Sequence, residues 1–264
     1  MAMPPLTPTP PPFSVPEAFL FGCRFAVRHI RLIAVLSFFP LFLTLGTLVG
    51  LRLSNVTLSI FWLPIVQLPA SFVIGLQCAL LLRFFVLHEY PIIPDGPERA
   101  QRNRAVSQAA FIYAAITYFV TGAVAVLFKL WAFISKNPEA NSSYMPLAII
   151  LIVGILWGMR WFWLHVPVAL DWPVRAFFER LGKWGGTLRV FALVALSSML
   201  VNIVGGFLTA LIMALGGKEP NGLFQALGDV VLAVSTVAQA VIFTASTAAA
   251  VKLMTGAKPK DIEA

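Results

Sequence analysis

Six stretches of the chain carry apolar side chains on nearly every consecutive position, separated by short polar or proline-bearing segments. They run from about Leu32–Leu51, Val56–Leu82, Val106–Leu130, Met145–Val168, Val190–Leu215 and Leu223–Val251. A helix needs about 20 residues to cross the hydrocarbon of a bilayer, so each stretch is predicted as a membrane span. Transmembrane β-strands would alternate apolar and polar positions over about ten residues. These runs do not alternate, and over such lengths only a helix satisfies its own backbone in lipid. The fold class predicted is all-α: a polytopic membrane bundle of six helices, built from hairpins. Pro64 and Pro69 fall inside the second stretch and are predicted to kink or break it, because proline removes a backbone donor and clashes with the preceding turn.

Between the spans, polarity becomes amphipathic at helical spacing. Over Pro16–Ile30, Phe19, Leu20, Cys23, Val27 and Ile30 fall near one face, with Glu17, Arg24, Arg28 and Arg31 toward the other. Over Pro173–Leu188, Val174, Phe177, Phe178, Leu181 and Trp184 oppose Arg175, Glu179, Arg180 and Lys183. Both segments are predicted as helices lying in the headgroup region. Residues 1–15 hold six prolines, Pro4, Pro5, Pro8, Pro10, Pro11 and Pro12, and are predicted as an extended tail without a secretory signal pattern. The membrane domain is placed at 16–252 and a second tail at 253–264.

A short pattern occurs twice. Arg83-Phe84-Phe85-Val86-Leu87-His88 closes the second span and Arg160-Trp161-Phe162-Trp163-Leu164-His165 closes the fourth. Each is followed by a segment with proline and acid: Pro91, Pro94 and Asp95 after the first, Pro167, Asp171 and Pro173 after the second. Self-similarity of this kind marks a repeated supersecondary unit. The third hairpin ends in Val251-Lys252-Leu253-Met254 and lacks the pattern.

Composition agrees with a membrane chain: 59% of the 264 residues are hydrophobic and 11% charged, against about 25% charged in soluble domains. Mean hydropathy is +0.87. The net charge of +8 comes from basic residues before span one, between spans two and three and between four and five, and after span six. Basic residues accumulate on the cytoplasmic side, so both termini are predicted to be cytoplasmic and the protein to reside in a bacterial inner membrane. Anionic lipid attracts such residues; nucleic-acid binding would call for a clustered basic domain, and no segment between the spans is large enough to be one. Cys23 and Cys78 fall in different environments, so no disulfide is predicted.

Arg83 and Arg160, at span ends beside aromatic residues, read as interfacial anchors. Their guanidinium groups also suit phosphate, which makes Arg83 and Arg160, with His88 and His165, candidates for holding a phospholipid headgroup. The three histidines, His29, His88 and His165, all fall at the cytoplasmic boundary. They raise a haem or metal alternative, but none is spaced with another as a metal motif, and no metal or cofactor is called for. Gln77, Asn202 and Gln239 lie within spans and are candidates for a polar path or for hydrogen bonds between helices. Asp229 is placed near the external end of the sixth span, and no acid falls at mid-depth, which argues against ion coupling. Gly46–Gly50 and Gly154–Gly158 each make a GxxxG that would permit close helix approach. The small residues of the sixth span predict a central position.

Met159-Arg160-Trp161-Phe162-Trp163-Leu164-His165-Val166-Pro167-Val168-Ala169-Leu170, followed by the amphipathic stretch to Lys183-Trp184-Gly185-Gly186-Thr187-Leu188-Arg189, resembles a segment of six-span bacterial membrane proteins. These include the YciC-like proteins and the membrane domain fused to some glycerophosphodiester phosphodiesterases. The resemblance covers the last two-thirds of the chain and implies the six-span topology. It implies no catalysis, since no phosphodiesterase domain is attached and the family offers no catalytic residues to carry over. The expected role is that of a non-enzymatic envelope protein that contacts lipid or acts as a scaffold, with membrane lipids, a membrane protein or a second copy as partner. The alternatives are a carrier or channel for a small or amphipathic solute, and a haem- or metal-binding redox subunit.

Overall fold

The computed structural model describes residues 13–54, 63–91, 97–136, 141–182, 184–217 and 222–256. The tails before 13 and after 256, and residues 56–62 of the second predicted span, lie outside the described residues. The described chain is helical, with no strand among the described residues. In order it forms α1 (Val15–Arg28), α2 (Ile30–Leu53), α3 (Leu63–Val66), α4 (Leu68–Leu87), α5 (Pro97–Lys136) and α6 (Asn141–Gly158). A 3₁₀ turn over Met159–Trp163 leads into α7 (His165–Ala169), α8 (Val174–Leu181), α9 (Trp184–Leu215) and α10 (Gly222–Met254). Among the described residues six helices are long and apolar enough to cross a membrane, and each overlaps one of the six predicted stretches. The protein is a multi-pass α-helical membrane protein. Its outer surface explains why: Phe38, Phe42, Phe111, Phe119, Phe128 and Phe207 are each more than 60% exposed, a density of bare aromatic surface that water does not tolerate.

The second stretch breaks where its prolines stand. α3 ends at Val66 and α4 begins at Leu68, with Pro69 in the first turn, where a missing N–H costs nothing. α5 is the longest helix, 40 residues, or about 60 Å at 1.5 Å per residue. That is twice the hydrocarbon thickness of ~30 Å, so its N-terminal turns, with Arg99, Arg102 and Arg104, project beyond the apolar region. The fourth stretch is less regular than predicted. Its α-helix stops at Gly158 and continues as the tighter 3₁₀ turn through Arg160.

The sixth span is central, as its small residues predict. From Phe243 to Lys252 every side chain of α10 is buried, and α1, α2, α4 and α9 all pack on it. α1 does not lie freely in the headgroup plane. It packs on α10 through Ala18 and Gly22, while Leu20 and Val27 face outward. A β-carbon on Gly22 would stand 2.5 Å from the backbone nitrogen of Ser246, and one on Gly75 would stand 2.8 Å from the Ala110 carbonyl of α5. These two glycines let α1 approach α10 and α4 approach α5; Gly205 of α9 likewise faces Ser235 of α10 with no room for a β-carbon. The two GxxxG pairs play no such part: no neighbouring atom lies within 4 Å of a β-carbon built on Gly46, Gly50, Gly154 or Gly158. The amphipathic segment after Pro173 is split, because Gly182 (φ +81°) ends α8 and Trp184 already begins α9.

At the end of the bundle where α1 meets α10, an aromatic core forms. Trp163 is fully buried between Phe13 (centroids 5.6 Å) and Phe177 (6.3 Å). Phe13 therefore belongs to the folded unit, although the tail was predicted to reach residue 15.

Candidate functional site

The end of the bundle that holds both α1 and the C-terminal turns of α10 is the basic end, and it carries a cavity of about 580 Å³. The cavity forms because three elements of different sequence origin finish at one level. α1 contributes Phe21, Arg24, Phe25 and Arg28, which fall on one face by i, i+3, i+4, i+7 spacing. His29 follows at the α1–α2 junction, α4 contributes Phe84, Phe85 and His88, and α10 contributes Lys252. α4 ends on His88, which adopts the left-handed conformation (φ +56°) and so turns its side chain off the helix axis at the cavity edge.

The walls are aromatic, and apart from the Tyr90 hydroxyl the polar groups are basic side chains, Arg24, Arg28, His29, His88 and Lys252. Phe25 contacts Phe85 (3.9 Å between centroids) and His29 (4.5 Å), and His29 stands edge-on to Phe84 (5.2 Å). Lys252, whose Nζ lies 5.1 Å from the Phe85 ring centre, donates to Nε2 of His88 at 3.4 Å. Among the described residues lining the cavity there is no Asp or Glu. Burial, and then the charge of Arg28, hold the His29 imidazole below its ordinary pKa of 6.5, so without a bound anion it is neutral at pH 7.

The two copies of the repeated pattern occupy unlike environments. Arg83 is 5% exposed. Its Nε and Nη2 donate to the two oxygens of Glu89 (2.7 and 2.9 Å), and its Nη1 donates to the Ala169 carbonyl (2.6 Å) and to Asp171 (3.2 Å). Asp171, the acid that follows the second copy, thus meets the arginine of the first. Arg102 of α5 closes the same corner, donating to the carbonyls of Tyr90 and Pro91 with Glu89 3.6 Å away. Arg83 is spent on tying α4 to the turn after α7. Arg160 has a different setting. It is half-buried, with its guanidinium carbon 5.2 Å from the Trp157 ring, 5.6 Å from Trp161 and 5.6 Å from Phe178, a cation held against ring faces. His165 is buried, its Nδ1–H donating to the Phe162 carbonyl (2.9 Å) and its ring edge-on to Tyr113 (5.4 Å). Of the four headgroup candidates, only His88 lines the basic cavity.

The three amides also separate. Gln77 is buried and donates to Ser37 of α2 (2.6 Å), tying α4 to α2. Asn202 is exposed on α9. Gln239 donates to Ser198 of α9 (2.7 Å) and lines a second cavity, of about 600 Å³, among α4, α5, α6, α9 and α10. Asp229 pairs with Arg52 of α2 at 2.8 Å, which fixes both at the end opposite the basic cavity. No group of three His, Cys, Asp or Glu side chains placed to hold a metal ion occurs among the described residues; His29 and His88 share the basic cavity while His165 lies apart.

Arg24, Arg28 and Lys252 were read from sequence only as indicators of orientation. A usable signal was present in α1: two arginines at i, i+4, each preceded three residues earlier by phenylalanine (Phe21, Phe25), a pattern that puts guanidinium groups and rings on one face. Lys252 gave no such signal, because its partner His88 is 164 residues away.

The geometry defines a class, a six-span helical membrane protein with a cationic, aromatic-walled cavity at one end. Comparison with protein-family models, curated proteins and solved structures gives no match for this chain.

Proposed function

We propose that the protein binds the anionic headgroup of a membrane phospholipid at the basic end of its bundle. In this reading it is a non-enzymatic, lipid-contacting component of the bacterial inner membrane, with that end facing the cytoplasm. The observation that carries the reading is the convergence of Arg24, Arg28, His29, His88 and Lys252 on one cavity whose remaining lining is aromatic. Phosphate oxygens suit such a set. Guanidinium groups bind them through paired N–H donors and an ammonium adds point charge. The volume falls within the range of about 300–1,000 Å³ typical of small-ligand sites. The phenyl walls exclude water from one side, which strengthens attraction between the cations and an anion. The acyl chains of a lipid so held would run along the exposed apolar faces of α1 and α2, where Leu20, Val27 and Ile30 are bare. The cations of this reading are therefore those of α1 and α10, in place of Arg83 and Arg160.

The test is native mass spectrometry of the full chain after extraction in mild detergent, followed by titration in nanodiscs of phosphatidylcholine with added phosphatidylglycerol. Retained anionic phospholipid is expected, with affinity at least about tenfold weaker in the doubly substituted Arg24→Gln, Arg28→Gln chain, since two charge-assisted hydrogen-bonding groups are removed. Equal retention by the wild-type and doubly substituted chains, or no preference for phosphatidylglycerol over phosphatidylcholine, would overturn the proposal.

A further inference from the structure

The second cavity lies deep in the bundle. Gln239 is at the middle turn of the 33-residue α10 and Ser198 near the middle of the 32-residue α9. Its lining gathers eight neutral polar side chains, among them Gln67, Ser71, Tyr113, Thr117, Ser198 and Gln239, with aliphatic and aromatic groups between them and no charged residue among the described lining. Polar side chains at this depth are costly unless they find partners. Here they are contributed by four separate helices, α4, α5, α9 and α10, and by Gln67 at the α3–α4 break, so no single helix's sequence accounts for their meeting. Gln239 already donates its amide N–H to Ser198, which leaves its carbonyl oxygen as an acceptor toward the cavity. Gln67, at the break between α3 and α4, belongs to the same lining.

We propose that this cavity is a binding site for an uncharged amphipathic molecule, one with an apolar body and a hydroxyl, carbonyl or amide group. The lining decides the class. A charged ligand would enter a cavity that offers no counter-charge, at a large desolvation cost. A wholly apolar ligand would leave the amides and hydroxyls without partners. A neutral ligand with one or two hydrogen-bonding groups satisfies both halves of the wall. The site is separate from the basic cavity, shares no lining residue with it, and does not depend on the headgroup reading.

The probe is a long-chain fatty alcohol carrying a photoreactive diazirine, applied to the full chain in phosphatidylcholine nanodiscs, with the fatty acid of the same length as the charged control. Labelled peptides are mapped by mass spectrometry. Saturable labelling is expected on the α5 segment around Thr117 and the α9 segment around Ser198, displaced by unlabelled hexadecanol and weak for the fatty acid. Thr121→Trp, which fills the cavity from its open side, is expected to abolish the saturable part, and Gln239→Leu to raise the half-saturating concentration about fivefold, the effect of one hydrogen bond. Arg28→Gln is expected to change neither. Labelling that does not saturate and spreads over outward-facing Phe119 and Phe128, equal labelling by acid and alcohol, or saturable labelling unchanged in both cavity variants would overturn the proposal. If Thr121→Trp fails to fold, the half-saturation of Gln239→Leu and of Ser198→Ala decides alone.

Discussion

Arg83→Ala separates two roles for the same arginine. Read from the sequence, Arg83 reaches the headgroups, and its loss would weaken lipid retention. In the fold its side chain is 7% exposed and makes four hydrogen bonds, two to Glu89, one to the Ala169 carbonyl and one to Asp171. Removing one partner of a buried ion pair costs about 3–5 kcal/mol, because the other charge stays behind. Glu89 and Asp171 keep 23% and 29% of their side-chain surface, so water partly replaces the guanidinium and the expected loss falls to about 2–4 kcal/mol. Arg83→Lys, which keeps the charge but loses the fork, should cost about half of that. The assay is reversible unfolding in mixed dodecylmaltoside–SDS micelles, followed by tryptophan fluorescence, with a double-mutant cycle on Glu89→Gln expected to give at least about 1 kcal/mol of coupling. Arg83→Ala within about 0.5 kcal/mol of wild type, with lost retention of anionic lipid, would refute the structural role and restore the headgroup one.

Gly22→Val and Gly75→Val should each destabilise by more than about 2 kcal/mol in the same micelle assay, since the new side chain meets helix backbone that cannot move aside; Gly46→Val, with open space around it, should stay near wild type. Gln77→Leu should cost about 0.6–1.7 kcal/mol, the range for hydrogen bonds between membrane helices, through loss of the bond to Ser37. Lowering the pH through 6.5 should remove a small stability term tied to His29. Its folded pKa lies below the unfolded value, so the unfolded chain binds the extra proton first and stability falls as pH falls; a His29→Gln chain should lack that component in unfolding titrations at pH 7.5 and 5.5. Asp229→Asn should change stability by less than about 1 kcal/mol, because its pair with Arg52 keeps partial exposure, and a loss several times larger would show that the pair is sealed from water.

Hydrophobic run length located all six spans, because a bilayer imposes one length on every segment that crosses it. Pro69 located the break in the second, and Ala245–Ala250 with their neighbours located the hub. What escaped was whatever depends on distant partners. Arg83 and Arg160 share the pattern Arg-aromatic-Phe-x-Leu-His, but one meets Glu89 and Asp171 while the other lies among Trp157, Trp161 and Phe178; the local difference is Glu89, six residues after Arg83, where Val166 follows Arg160, and the partners Ala169 and Asp171 lie more than 80 residues away. The GxxxG pairs failed for a related reason. Glycine permits close approach but does not supply a neighbour, and Gly22 and Gly75 gained one because α10 and α5 arrive with Ser246 and Ala110 at the contact. The basic cavity joins residues 24 and 252, a separation at which no periodicity operates.

The hub position of α10 has a consequence for how the chain is made. The end of α1 at Arg28 and the start of α10 at Gly222 are separated by 194 residues, which at about 5–20 residues per second is roughly 10–40 s of synthesis. During that interval α1, α2 and α4 enter the bilayer without the helix they share. The face of α1 around Ala18 and Gly22 then lacks Ser246, against which Gly22 packs in the finished fold. A ribosome that stalls before α10 leaves inserted helices with their small-residue faces bare, a state that membrane proteases and insertase chaperones are suited to detect, whereas completion of α10 draws the earlier hairpins together in one late step.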